Sequence, residues 1–210
     1  MVFDAKLTKI MIDGKETNIK LVVSKWLEDD LAYLSSRTST EFAFYLAQYE
    51  VKDYRGNKYF VIPHQEIIIP KQKASAAEVE ITENLPYPIN GHKHPEGVTT
   101  FSSTDLEYIT NNATISLLVT SNGIQEATIR FIQNIDVIGS TLLLIRVKDI
   151  LRMFDEPKDF NVDAKVKELE EKMEKPKYEV PKYYYGDDWY YKYLYDDDYL
   201  DGKKKKKSKK

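Results

Sequence analysis

The sequence predicts an α/β fold in which mostly antiparallel strands form a sandwich with helices, with α+β as the neighbouring class. Three observations carry this. Short apolar runs stand on either side of turn signals at Asp13-Gly14, Tyr54-Arg55-Gly56-Asn57 and Ser121-Asn122-Gly123. Two stretches between these runs switch to helical spacing. The aliphatic periodicity is confined to residues 1 to 152, and beyond them the composition changes in kind.

Taken in order, Lys9–Ile12 and residues 18–23 flank the first turn and read as a hairpin. From 24 to 36, Trp26, Leu27, Leu31 and Leu34 recur at helical spacing, with Ser24 as N-cap. Residues 41–51, rich in Phe, Tyr and Ala, read as one strand joined to a strand over 58–62 across the second turn. Residues 77–81 are a short strand, 88–94 run extended and 102–112 look helical. Apolar strands over 114–120 and 127–133 flank the third turn, and 141–147 is a last strand leading into a short helix over 148–154. Residues 153–175 read as a polar, Pro-containing linker followed by a charged helix, with Val166, Leu169 and Met173 on one narrow stripe. In 176–210 the aliphatic residues nearly vanish. Tyr183, Tyr184, Tyr185, Trp189, Tyr190, Tyr191 and Tyr193 alternate with aspartates, and a lysine run from Lys203 to Lys210, broken by Ser208, follows. Such low complexity predicts a disordered tail.

Composition excludes several classes. The chain has no cysteine, which removes disulfides, thiol catalysis and cysteine–zinc sites. A net charge of −3 gives no overall argument for nucleic-acid binding. No apolar run approaches the roughly 20 residues that span a bilayer. The first fifteen residues lack a signal-peptide core, so the expected location is cytoplasmic. In a eukaryotic cell the lysine run adds nuclear import as a second expectation.

The chemistry concentrates in residues 92–105, which hold two of the three histidines. His92 and His94 are two apart, and a strand projects such a pair from one face. With Asp105 they would make two imidazoles and one carboxylate, a set that leaves a tetrahedral metal one open position. Simpler readings stand beside this. The histidines can be surface residues of a polar loop, and Ser102-x-x-Asp105 is the pattern of a helix capping box. The two roles of Asp105 are compatible, because a capped helix holds a ligand rigidly. His64, in Ile62-Pro63-His64-Gln65, reads as structural or exposed.

His-x-His, seven residues beginning with Pro95, then Ser-x-x-Asp resembles the signature of the JAMM (MPN-plus) zinc metalloproteases, without insertion or deletion. That family also places a glutamate after a helix, and Glu41 stands there in Ser39-Thr40-Glu41-Phe42-Ala43-Phe44-Tyr45-Leu46. Ile67-Ile68-Ile69-Pro70-Lys71-Gln72 and Ser116-Leu117-Leu118-Val119 look like divergent microbial or mobile-element members. The resemblance covers about the first 150 residues. It implies a curved mixed sheet flanked by helices, a cytidine-deaminase-like architecture, over 1–152. It implies one Zn²⁺ per chain held by His92, His94 and Asp105, with Glu41 as general base and Ser102 as oxyanion donor. The implied reaction is hydrolysis of peptide or isopeptide bonds, with a ubiquitin-like protein or its conjugates as substrate. The chain departs from the family at Phe44 and Gln48, where glycines commonly stand. That bulk bears on sheet packing or on the width of a substrate groove, with Ala43 and Ala47 restoring some room.

Two other functions use the same residues. A non-haem iron oxygenase also employs two histidines and a carboxylate. A catalytically silent scaffold would keep the fold as an interaction module. The Tyr/Trp/Asp segment of the tail suits a protein partner, and the lysine run offers weak attraction for nucleic acid or an anionic surface.

Overall fold

The structure, a computed structural model, describes residues 2–3, 9–12, 15–76, 78–83, 85–135, 139–159 and 161–174. Residues Met1–Pro176 form one compact unit. The first strands are β1 (Val2–Phe3), β2 (Lys9–Ile12) and β3 (Lys15–Ser24), followed by helix α1 (Lys25–Ser36). Then come β4 (Ala43–Leu46), β5 (Glu50–Tyr54), β6 (Asn57–Ile62), β7 (Gln72–Ala74), β8 (Val79–Ile81) and β9 (Ile89–Lys93). Helix α2 (Ser103–Asn112) precedes β10 (Ile115–Thr120), β11 (Gly123–Ile135), β12 (Gly139–Val147) and β13 (Leu151–Met153). Helix α3 (Val162–Lys172) and β14 (Met173–Glu174) complete the described chain.

These elements make an α/β fold with three helices among the described residues and mixed sheets. The largest sheet has the order β1-β12-β11-β10-β9-β4, in which β9–β10 and β1–β12 are parallel pairs and the rest antiparallel. A second sheet runs β13-β3-β6-β5, and the long β3 also carries β2 along its first half. The third sheet is β14-β7-β8. Among the described residues, no helix is long and apolar enough to cross a membrane.

The six-stranded sheet has two unlike faces, which follows from the period-two alternation of strands. One face carries Phe44, Gly91, Leu117, Ala127 and Val147 in a lateral row, next to Leu46, Ile89, Ile115, Ile129 and Ile145. These join the main core with Leu27, Leu31 and Leu34 of α1. The opposite face carries Ala43, His92, Leu118 and Glu126 in one row, and Tyr45, Asn90, Ser116, Thr128 and Arg146 in the next. Helix α2 covers this face through a small cluster of Phe101, Leu106, Ile109, Leu118 and Leu144.

Several local expectations are met for the stated reasons. Ser24 caps α1 by accepting from the Leu27 N–H. Tyr54 and Asn57 pair across Arg55-Gly56, both at positive φ, the conformation a two-residue hairpin loop requires. The Asp13-Gly14 turn lies outside the described residues, as does the tail over 176–210.

Others are corrected. Residues 41–51 are not one strand: β4 lies in the six-stranded sheet and β5 in the second. The break falls at Gln48, whose N–H and carbonyl are taken by the Gln65 carboxamide at 2.8 and 2.7 Å. The helix expected over 148–154 is the strand β13, parallel to β3. Tertiary pairing overrides local propensity there, because Arg152 must reach the buried Glu28, at 2.6 and 3.1 Å. The strand β7 had no sequence signal. It is fixed by the fully buried Gln72 side chain, which accepts from the Ala43 N–H at 2.6 Å and donates to the Ala43 carbonyl at 3.2 Å. Trp26 belongs to the exposed side of α1 and donates its indole N–H to the Asp155 carbonyl.

The linker and charged helix, read from sequence as lying beyond the domain, pack on its core. Leu169 is buried with the core residues, and Val166 and Met173 pack against them. Tyr33 of α1 donates to Asp163, and Lys172 to the Ile69 carbonyl. His64 is buried, with its Nε2 at 2.8 Å from Asp30 and its Nδ1 accepting the Lys158 N–H at 2.7 Å. Because Nδ1 accepts, the proton sits on Nε2 and Asp30 is its acceptor. This histidine is structural, as the sequence suggested.

Candidate metal centre

β9 delivers the two histidines. His92 lies within the strand, and His94 follows immediately after it, held by its own N–H to the Val119 carbonyl at 3.0 Å. The spacing of two sets both rings on the polar face of the sheet. Asp105 arrives from the first turn of α2. Ser102 is the N-cap: its Oγ accepts the Asp105 N–H at 3.1 Å, and Asp105 Oδ2 accepts the Ser102 N–H at 2.7 Å. The capping box therefore exists, and it holds the carboxylate that faces the histidines.

The donor atoms converge. His92 Nε2 and His94 Nε2 are 2.8 Å apart, and each lies 3.3 Å from an oxygen of Asp105. A tetrahedral zinc with bonds of about 2.0–2.1 Å separates its ligand atoms by about 3.3 Å. The two histidine–carboxylate separations equal that value but run to different oxygens, His92 to Oδ1 and His94 to Oδ2, and the histidine–histidine separation is shorter. These three residues could hold a metal ion. One feature departs from an ordinary metal-bound imidazole: His94 Nδ1 is buried without a hydrogen-bond partner among the described residues. Burial alone would raise the Asp105 pKa. Hydrogen bonds from His92, His94 and Ser102 outweigh it and hold the carboxyl well below its ordinary range.

Glu41 lies two residues before β4, not on the strand, and is 8% exposed. Its own N–H donates to the Ser75 carbonyl at 2.8 Å. Its pKa is pushed up to about 7, chiefly by burial, with the charges of Asp105 and Glu78 adding and those of His94 and Lys93 opposing. A carboxylate tuned to neutrality is matched to proton transfer at physiological pH. Glu41, Ser102, His92, His94 and Asp105 all line one cavity of about 700 Å³. The structure thus brings together all five residues read from the sequence.

Two supporting residues escaped sequence reading. Lys93, between the histidines, points away from them, is 5% exposed, and donates to the Thr38 carbonyl, fixing the segment that carries Glu41. Burial lowers its pKa. Phe101 sets its ring against His92, with centroids 5.7 Å apart. A buried lysine between two histidines carries no sequence mark, and an aromatic before a cap is too common to notice.

No protein-family model matches this chain, and neither does a curated protein.

Proposed function

We propose that the chain is a JAMM-type zinc metallopeptidase that hydrolyses peptide or isopeptide bonds, with ubiquitin-like conjugates as the expected substrate class. The observation that carries the reading is the convergence of His92, His94 and Asp105 in the same cavity as a glutamate tuned to about 7. Zinc suits two imidazoles and one carboxylate with an open position, and if bound there it would supply a water acidified to near neutrality and an electrophile for the scissile carbonyl.

The chain's own residues do the rest. Glu41, ionised at and above neutral pH, accepts the proton of the attacking water at its carboxylate and returns it to the leaving amine nitrogen. The Ser102 hydroxyl oxygen receives the Asp105 N–H, which leaves its hydrogen to donate to the oxyanion that forms on the substrate. The cavity is lined by apolar Val79, Ile81 and Val98 and bordered by β8, a margin strand of the third sheet. An extended substrate would add beside β8. The outer edge of β4 is already taken by Ile68, which exchanges both backbone hydrogen bonds with Tyr45.

The test is metal content and cleavage of several ubiquitin-like conjugates. Glu41→Gln should retain zinc and lose most activity, whereas His92→Ala and Asp105→Ala should lose zinc as well. Equal activity of Glu41→Gln and wild type would overturn the mechanism. Iron in the purified protein with turnover of 2-oxoglutarate would assign an oxygenase instead, and a folded chain that takes up no metal would leave a scaffold.

A further inference from the structure

We propose that Glu126, which touches no reacting group, is the positioning residue that sets metal affinity at the His92–His94–Asp105 centre, acting through the backbone N–H of Phe101. The inference rests on the metal-centre reading above.

Glu126 pairs laterally with Leu118, and Leu118 with His92, so Glu126 and His92 share one face of the sheet two strands apart. At the spacing of paired strands that is roughly 10 Å. The Glu126 side chain is fully buried, at 0% exposure. Arg146 grips it in a fork, Nε to Oε1 at 2.8 Å and Nη2 to Oε2 at 2.9 Å. A carboxylate there sits beside Leu118, and burying it is costly unless its lone pairs are used. The remaining use is specific: Oε2 accepts the Phe101 N–H at 2.9 Å.

Phe101 is the hinge between the ligands. Residues 96–100 before it are exposed, and Ser102 after it is the cap that binds Asp105. Its ring stands against His92. A single anchored N–H therefore fixes both the seat of the His92 ring and the start of α2, and with it the Asp105 carboxylate. Partners beyond the ligands commonly change metal affinity ten- to a hundredfold when removed.

The experiment uses the metal-free full chain titrated with Co²⁺ and with Zn²⁺, and follows exchange of the Phe101 amide by NMR. Glu126→Leu with Arg146→Met removes both charges together, which buried pairs generally tolerate. This variant should fold, bind Co²⁺ roughly ten- to a hundredfold more weakly, and exchange the Phe101 amide rapidly. Glu126→Gln with Arg146→Met keeps an oxygen for the Phe101 N–H and should recover most of the affinity and the slow exchange. Should the apolar pair not fold, Glu126→Asp, too short to reach Phe101, takes its place with the same expectation. Affinity within twofold of wild type in the folded apolar variant, or no recovery with glutamine, would overturn the proposal. A wild-type chain that takes up neither ion would sink the metal reading and the affinity claim with it. Phe101 exchange, measured without metal, would then still decide whether Glu126 holds the loop.

Discussion

Gly91 lies opposite Phe44 across the β4–β9 pair, and a Cβ built on it would stand 2.2 Å from the Phe44 ring. The ring fills the volume that a side chain at 91 would need. The bulk at position 44 is thus matched by a small residue on the partner strand. Gly91→Ala should therefore destabilise the fold by about 1–3 kcal/mol, and adding Phe44→Leu should recover part of the loss in a denaturant titration. Glu41 makes a second prediction at this scale. Its pKa rises from 4.5 to about 7 on folding, so the metal-free folded state holds the proton more tightly than the unfolded chain. The associated stability is complete below about pH 4.5 and is lost as pH rises through about 7. Glu41→Gln should raise Tm above wild type in metal-free protein at about pH 8 and give no gain at about pH 4. Activity runs in the opposite sense, since the base must be ionised. A bound cation opposes that rise and lowers the Glu41 pKa from about 7, so the acid limb of kcat/KM should fall below pH 7.

At the scale of elements, α2 both covers the polar face of the sheet and presents Asp105 to the two histidines from its first turn. Ser102→Ala removes the side-chain cap on the Asp105 N–H and should cost about 1 kcal/mol of stability, and it should weaken metal uptake in a Co²⁺ titration by loosening the turn that carries Asp105, although the Ser102 N–H still donates to the carboxylate. This helix was readable from sequence because a capping box depends only on local spacing. So was the histidine pair, because strand alternation puts i and i+2 on one face. The strands β7 and β13 were not readable. Each is specified by one polar side chain acting at long range, Gln72 on Ala43 and Arg152 on Glu28, and no periodicity records such a contact. The break between β4 and β5 was hidden for the same reason, since Gln65 makes it from seventeen residues away. The chemistry was thus more legible than the sheet that carries it.

For the whole molecule, the boundary is the main revision. A narrow stripe of Val166, Leu169 and Met173 was visible in the sequence, but a stripe does not say what it meets. Here it meets the main core, while Tyr33, Ser24 and His64 hold the stretch leading to it through Asp163, Asp155 and Lys158. Leu169→Ala should cost about 2–5 kcal/mol, read as a lower denaturation midpoint. Removing residues 176–210 should leave both that midpoint and metal uptake unchanged, and loss of either would show that the tail contributes to the unit.

The closed edge of β4 has a consequence for colloidal behaviour. An open margin on a six-stranded sheet is a template onto which another chain's strand can add, and proteins that expose one tend to aggregate. Along β4 and its flanks that template is spent: Ile68 occupies Tyr45, the Gln72 carboxamide occupies Ala43, and the Gln65 carboxamide occupies Gln48. Two glutamine side chains imitate peptide groups and give this side of the sheet an end, so β4 offers another chain little to pair with.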